Sequence, residues 1–207
     1  EIEVATKAIR DSMDWRIGFG FIVDEILDFE RSFANYCRTE FAISLSTASV
    51  GLDLAMISLN LEPEDEVICP AINFKASPLA VLGQRANLVF CEIDPRTFNC
   101  DPTDLERRIT PKTRAIIPVS LYGQCADFDQ INAIAERYGL PVIEDGAQSF
   151  GGSYKGRKSG NLSTIGCTSF FPSKPLGCYG DGGALFTNDE ELAHYCAAAD
   201  VSETFNP

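Results

Sequence analysis

The sequence predicts an α/β fold in which helices pack against a sheet. Strand-like apolar runs alternate along the chain with segments of helical periodicity, and this alternation is typical of layered α/β proteins. The chain has 207 residues, of which 45% are hydrophobic, so it can bury one substantial core. We therefore expect a single domain.

The elements follow one another in a regular order. An early helix is predicted by apolar residues at helical spacing, namely Ile22, Ile26, Phe29, Phe33 and Tyr36. Seven strands are then predicted near residues 41–46, 66–71, 86–93, 113–121, 140–145, 167–172 and 182–187. This order places a helical segment before the sheet and further helices between its strands.

Capping signals mark two of the helices between the strands. Asp101 followed by proline indicates an N-cap with proline at the first helical position. Asp127 with Gln130 resembles a capping box, and Gly139 is a helix stop at the end of the apolar pattern that follows.

A strand, a turn and a helix are predicted between residues 41 and 59. The N-terminus of such a helix offers unpaired N–H groups and a positive dipole end, so it can hold a phosphate. The candidate phosphate-binding residues are Ala48, Ser49 and Val50. Simple N-capping by Ser46 or Thr47 explains the same small residues nearly as well.

One lysine, Lys174, lies between an apolar strand and a glycine-rich run. A hydroxyl at Ser169 precedes it by five residues, and little side-chain bulk follows it. An amine in this setting suits a Schiff base with a phosphate-bearing aldehyde. The alternative is a surface lysine in a glycine-rich hairpin.

Carboxylates end the predicted strand at residues 140–145. Ligands of open α/β sheets bind beyond the carboxyl ends of the strands, where Asp145 can pair with a protonated pyridine nitrogen. Gln148 follows at a distance that could reach the other substituents of the ring. The alternative is that Asp145 only caps a following helix.

The stretch from about residue 116 to residue 188, which contains these candidates, closely resembles the sugar aminotransferases of the DegT/DnrJ/EryC1/StrS family. These are fold-type I pyridoxal phosphate enzymes, and the likeness spans nearly the whole chain. It is most specific to transaminases that aminate UDP-linked 3-keto uronic acid sugars for bacterial surface polysaccharides. The resemblance implies a three-layer α/β/α domain with a mostly parallel seven-stranded sheet, pyridoxal 5'-phosphate as cofactor, glutamate as amino donor and a homodimer.

The resemblance also implies a role for each candidate residue. Lys174 would hold the cofactor covalently, and Asp145 would face the pyridinium nitrogen. Gln148 would lie near the ring hydroxyl, and Ser169 would bind the phosphate together with the 48–50 turn. Phe74 would stack on the pyridine face, although an aromatic ring after a strand is more often part of the core.

Residues 1–207 would then form the cofactor-binding large domain, with an N-terminal helical arm over about residues 1–38 and without the small C-terminal domain of the family. Two functions stay open. One is an aminotransferase, and the other is a truncated, catalytically silent domain that binds cofactor or a partner protein. Sugar dehydratases of the same family carry histidine in place of the lysine, so Lys174 favours transamination.

Composition excludes other classes of function. A net charge of −13 without a basic cluster argues against a nucleic-acid partner. A single histidine, His194, builds no metal site. The eight cysteines are irregularly spaced without a C-x-x-C pair, which favours free thiols in a reducing compartment over a secreted protein with four disulfides. With an acidic start and no apolar stretch of membrane-spanning length, we expect a cytoplasmic protein.

Overall fold

The computed structural model describes residues 2–13 and 24–202. The helices are α1 (Ile2–Ser12), α2 (Asp24–Cys37), α3 (Ala48–Ser58), α4 (Ala76–Gly83), α5 (Pro102–Arg108), α6 (Phe128–Tyr138) and α7 (Glu190–Ser202). The strands are β1 (Phe41–Leu45), β2 (Glu66–Pro70), β3 (Asn87–Cys91), β4 (Thr113–Ile116), β5 (Ile143–Asp145), β6 (Ser153–Tyr154), β7 (Arg157–Lys158), β8 (Ile165–Ser169) and β9 (Gly183–Thr187).

Seven of the described strands form the central sheet. Four lie in the order β1-β9-β8-β5 and three in the order β3-β2-β4. Parallel bridges from Ile116 to Val142 and from Val119 to Asp145 place β4 beside β5 and join the two groups. Among these seven strands, β9 alone runs antiparallel to its neighbours. The predicted sheet, mostly parallel with one antiparallel member, is confirmed, and β6 and β7 form a separate small hairpin.

β4 and β5 are each shorter than predicted at one end. β4 ends at Ile116 instead of near residue 121, and β5 begins at Ile143 instead of near residue 140. Pro118 and Pro141 lie in the missing parts, and proline has no N–H to donate to a ladder. Their carbonyl oxygens still accept, since the N–H of Asp145 donates to Pro118 at 3.0 Å. β4 and β5 are therefore joined by isolated bridges instead of a continuous ladder of hydrogen bonds.

Helices cover both faces of the sheet. Alternate residues of β2 point in opposite directions, so Val67 and Cys69 join a cluster beneath α3, α4 and α7, while Ile68 joins one beneath α5 and α6. This is the three-layer α/β/α arrangement. Phe29 and Phe33 of α2 pack on Phe170, with ring centroids 5.6 and 5.1 Å away.

The apolar face predicted for the early helix is confirmed for those of its residues that the structure describes. Phe29 and Phe33 are packed, Ile26 is half-buried, and Tyr36 lies 5.5 Å from the ring of Phe150. The predicted face also included Ile22, which lies outside the described residues.

The predicted caps are present. A carboxylate oxygen of Asp101 accepts from the N–H of Thr103 at 2.9 Å, and one of Asp127 accepts from the N–H of Gln130 at 3.3 Å. Gly139 ends α6 with φ 66°, in the left-handed region that glycine adopts without strain. These caps set the start of α5 and both ends of α6, the two helices on one face of the sheet.

Two further findings concern the described ranges alone. None of their helices combines the length and apolar character needed to cross a bilayer. No group of three or more potential ligands there is placed to hold a metal ion, and His194 lies 3.6 Å from Glu190 on an exposed helix face. All eight cysteines fall within these ranges and are free, so the alternative with four disulfides is wrong for this structure.

Candidate active site

Lys174, Asp145 and Phe74 meet at one edge of the sheet. Asp145 ends β5 and is buried, with 3% of its surface exposed. Lys174 lies in the turn after β8, and its positive charge partly offsets the rise that burial causes in the pKa of Asp145. The Nζ atom of Lys174 also lies 5.8 Å from the ring centroid of Phe74. Lys174 is half-buried and its charge acts on a buried carboxylate, which favours the cofactor role over the surface lysine of the alternative hypothesis.

Asp145 accepts two hydrogen bonds. Its Oδ2 accepts from the hydroxyl of Ser77 at 2.5 Å, and its Oδ1 accepts from the N–H of Ala147 at 3.1 Å. Burial raises the pKa of Asp145, while these hydrogen bonds and the charge of Lys174 oppose the rise. Residues 147–151 form a turn, so the alternative in which Asp145 caps a helix directly after β5 is wrong.

Gln148 is held in this turn by a backbone contact. Its Oε1 accepts from the N–H of Tyr122 at 3.2 Å. Tyr122 has φ 55°, a left-handed conformation that is uncommon for a residue with a side chain. The contact occupies the acceptor end of the amide and leaves its Nε2 end as a donor, which suits the predicted role toward a ring hydroxyl.

The candidate phosphate-binding residues lie at the same edge. In the sheet, Gly183 pairs with Leu45 of β1 on one side and with Ser169 of β8 on the other. A Cβ atom at Gly183 would lie 2.6 Å from the backbone nitrogen of Ala48, so α3 begins directly against β9. Ser169 and the first turn of α3 therefore flank one glycine.

The groups around Gly183 that could donate a hydrogen bond to a phosphate can be distinguished. Thr47 caps α3, because its hydroxyl oxygen accepts from the N–H of Val50 at 3.2 Å. The N-capping alternative is thus confirmed for Thr47, and it leaves Ala48 and Ser49 as first-turn residues without a preceding helical carbonyl. The hydroxyl oxygen of Ser169 accepts from Phe171 at 3.2 Å, so its proton is free to donate. The same bond draws the chain out of β8 at Ser169, earlier than the predicted end at residue 172.

Glu144 is a buried acid that the sequence did not single out. It precedes Asp145 in β5 and therefore points to the opposite face of the sheet. The hydroxyl of Ser159 donates to its Oε1 at 2.7 Å, and the N–H of Gly160 donates to its Oε2 at 3.0 Å. Burial raises the pKa of Glu144 to about 7, against the effect of those hydrogen bonds. No local pattern signals this network, since its partners lie 15 and 16 residues away.

Glu144 gives a pH-dependence that can be measured. Its pKa is higher in the folded protein than its ordinary value of 4.5, so its contribution to stability is complete below that value and is lost as the pH rises through about 7. The loss amounts to about 3 kcal/mol. We expect Glu144→Gln to gain stability relative to the parent over this range, as measured by urea unfolding at several pH values. A difference that does not change with pH would refute the assignment.

The three-layer α/β/α fold with a mostly parallel seven-stranded sheet is that of a fold-type I aminotransferase domain, and Lys174 and the buried Asp145 lie at its strand ends. The chain belongs to the DegT/DnrJ/EryC1/StrS aminotransferase family, which it matches over residues 6–202.

Curated relatives with known names cover most of the chain. It is 57% identical over 169 residues to the UDP-2-acetamido-2-deoxy-3-oxo-D-glucuronate aminotransferase of Pseudomonas aeruginosa, a match that covers 82% of this chain and 47% of the relative. It is 42% identical over 193 residues to the dTDP-3-amino-3,4,6-trideoxy-alpha-D-glucose transaminase of Streptomyces venezuelae, covering 93% of this chain and 50% of the relative. The chain thus spans about half the length of the curated relatives it matches.

Solved structures show the same fold. DesV of S. venezuelae, solved in complex with a ketimine intermediate, has a TM-score of 0.86 at 38% identity and is covered to 53%, against 95% of this chain. NtdA of Bacillus subtilis, solved with bound cofactor PMP, has a TM-score of 0.83 at 34% identity and is covered to 44%, again against 95% of this chain.

Proposed function

We propose that this chain is the cofactor-binding domain of a pyridoxal phosphate-dependent aminotransferase that converts a nucleotide-linked keto sugar to an amino sugar. The observation that carries the proposal is a half-buried lysine, Lys174, whose charge acts on the buried carboxylate of Asp145 at the strand ends. The names of the family relatives support the same reaction class.

The residues present fit the cofactor. Pyridoxal 5'-phosphate has an aldehyde, a ring nitrogen and a phosphate, and each group needs a different partner. Lys174 offers an amine for the aldehyde, and Asp145 offers a carboxylate for the protonated nitrogen. The first turn of α3 and the hydroxyl of Ser169 offer donors for the phosphate on either side of Gly183.

The chain's own residues divide the chemistry among them. When bound, the cofactor supplies an electron sink that stabilises a carbanion next to the reacting amine. Lys174 acts as general base and acid at the α-carbon of the amino donor. Asp145 holds a proton on the pyridine nitrogen, Phe74 covers the ring against water, and Gln148 donates to the ring hydroxyl. Dehydratases of this family are the rival, and Lys174 favours transamination.

For the substrate, we propose a UDP-2-acetamido-3-keto uronic acid, with glutamate as donor and surface polysaccharide as the destination of the product. The 57% identity to an enzyme named for that sugar supports this choice. Eight free cysteines support a cytoplasmic enzyme. Because the net charge is −13, the diphosphate needs local positive charge, either from a few arginines, from another subunit or from further sequence. A homodimer is part of the proposal.

The assay is glutamate-dependent amination of the UDP-linked keto uronic acid, followed through the formation of 2-oxoglutarate. We expect the protein, assayed with whatever further sequence its gene encodes, to give amino sugar and 2-oxoglutarate in equal amounts. Cofactor binding at Lys174 without amination of any UDP-, dTDP- or GDP-linked keto sugar would instead support a silent binding domain.

The 207-residue chain by itself is expected to bind cofactor weakly, turn over little and self-associate. Apolar side chains beside the site are exposed, among them Phe171 at 49%, Leu176 at 47% and Tyr179 at 100%. Such a patch favours association, and the chain spans only about half the length of the aminotransferases that it matches. Light scattering combined with the amination assay tests this expectation. A monodisperse monomer with full activity would refute both the dimer and the need for further groups.

A further inference from the structure

Ser77 connects the helix α4 to the acid of the candidate site. It is the second residue of α4 and is completely buried. A serine in a helix often bonds back to a carbonyl of the preceding turn, but the hydroxyl of Ser77 instead donates to Oδ2 of Asp145, 68 residues away. At 2.5 Å, this is a short bond of the kind made to an ionised acceptor.

The surroundings of Asp145 show why this bond matters. Burial disfavours the carboxylate form, and the neighbouring Glu144 and the thiols of Cys69 and Cys167 add no positive charge. The groups that favour the carboxylate are the Ser77 hydroxyl, the Ala147 N–H and the amine of Lys174. Ser77 therefore provides one of the two hydrogen bonds described for this side chain.

Ser77 also belongs to the segment that carries Phe74. The aromatic ring near Lys174 and the hydroxyl that bonds Asp145 belong to residues three positions apart, Phe74 and Ser77. One short stretch of chain thus contributes both to the face and to the acid end of the site. A change in the position of α4 would move both contacts together.

We propose that Ser77 is a positioning residue that keeps Asp145 ionised and fixes the direction of its carboxylate toward the site. The consequence for catalysis rests on the proposed function, because it is through the cofactor that Asp145 acts. The effect of Ser77 on Asp145 itself belongs to this chain and exists without cofactor.

The first test uses the cofactor-free protein. Asp145 has a raised pKa in the folded state, so its contribution to stability is present below its ordinary pKa and is lost as the pH rises through the folded value. Removing the hydroxyl raises that value further, and the loss then extends to higher pH. We expect the stability of Ser77→Ala to fall further below that of the parent as the pH rises. When both proteins also carry Asp145→Asn, the difference in stability between Ser77→Ala and the protein with Ser77 should no longer change with pH.

Two variants complete the design. Ser77→Cys keeps the side-chain volume but donates poorly, so it should follow Ser77→Ala and it replaces that variant if alanine prevents folding. Ser163→Ala is the matched control, since it removes a 2.8 Å hydroxyl hydrogen bond to Ile165 at the opposite end of β8. Ser163→Ala should leave the pH profile of the parent unchanged. Identical pH profiles for the parent and both Ser77 variants would overturn the proposal.

The second test titrates each protein with pyridoxal phosphate. We expect Ser77→Ala and Ser77→Cys to lower the affinity by up to about tenfold, and by no more than Asp145→Ala does, because Ser77 acts through Asp145. Unchanged affinity in both variants would overturn the link from Ser77 to cofactor binding. The two tests can also disagree. If the stability difference between Ser77→Ala and the parent depends on pH, but the parent binds no pyridoxal phosphate, the effect of Ser77 on Asp145 is supported and the proposed function is refuted.

Discussion

Replacing Lys174 with alanine is expected to lower the rate of amination about a thousandfold or more. The variant loses the amine that holds the cofactor and the base that moves the proton at the α-carbon of the donor, and each role is worth several powers of ten. The fold should be kept, because Lys174 is half-buried in a turn and joins none of the core clusters. Steady-state amination with glutamate, at saturating cofactor, measures the effect.

Two controls separate chemistry from charge. Lys174→Arg keeps a cation beside Asp145, but arginine stays protonated and cannot act as the base, so it should be as inactive as alanine. Lys155→Ala removes an exposed lysine that pairs with Asp129 on the surface, and it should keep full activity. More than a tenth of the parent activity in Lys174→Ala would contradict the assigned role.

Asp145→Ala is expected to lower the rate of amination about 10- to 100-fold. A charge-assisted hydrogen bond to the ring nitrogen contributes about 1.5 to 3 kcal/mol, and the variant loses it where the negative charge of the carbanion must be delocalised. Cofactor affinity should fall less than the rate, because Ser169 and the first turn of α3 still bind the phosphate. The measurement compares kcat with the dissociation constant of pyridoxal phosphate.

Matched variants make this prediction specific. Glu144→Gln changes the neighbouring buried acid, which points to the opposite face, and should leave kcat within about twofold of the parent. Ser169→Ala should show the reverse pattern to Asp145→Ala, with a larger loss of affinity than of rate. Equal activity in Asp145→Ala and the parent would rule out the role of this carboxylate.

The sequence predicted the site where local patterns and sheet geometry act together. The predicted strand at residues 140–145 placed Asp145 at a carboxyl end, and the predicted strand at 167–172 placed Lys174 just beyond the same edge, although β8 ends earlier, at Ser169. The caps at Asp101 and Asp127 were predictable because each bond spans two or three residues.

Other features depend on contacts that no local pattern encodes. The bond from Ser77 to Asp145 joins residues 68 apart, and the partners of Glu144 come from a loop beyond the next turn. The early end of β4 was different, because Pro118 inside the predicted strand was itself a signal against a continuous ladder.

The two interpretations of the start of α3, N-capping and phosphate binding, are compatible. Thr47 caps α3 by accepting from the N–H of Val50, as the N-capping alternative required. The same helix end brings the backbone nitrogen of Ala48 close to Gly183, which pairs with Ser169. Capping and phosphate binding use different N–H groups of the same helix end, so evidence for the first leaves the second as a prediction.

Borohydride reduction of the protein after addition of pyridoxal phosphate, followed by peptide mapping, tests whether Lys174 holds the cofactor. We predict a reduced pyridoxyl group on Lys174, because the charge of this amine acts on the buried Asp145 and its Nζ atom lies 5.8 Å from the ring centroid of Phe74. Lys155 and Lys158 serve as internal controls, since they lie near Tyr154 and Tyr36 in another part of the structure. Absence of the pyridoxyl group, or its attachment to Lys155 or Lys158 instead of Lys174, would contradict the account.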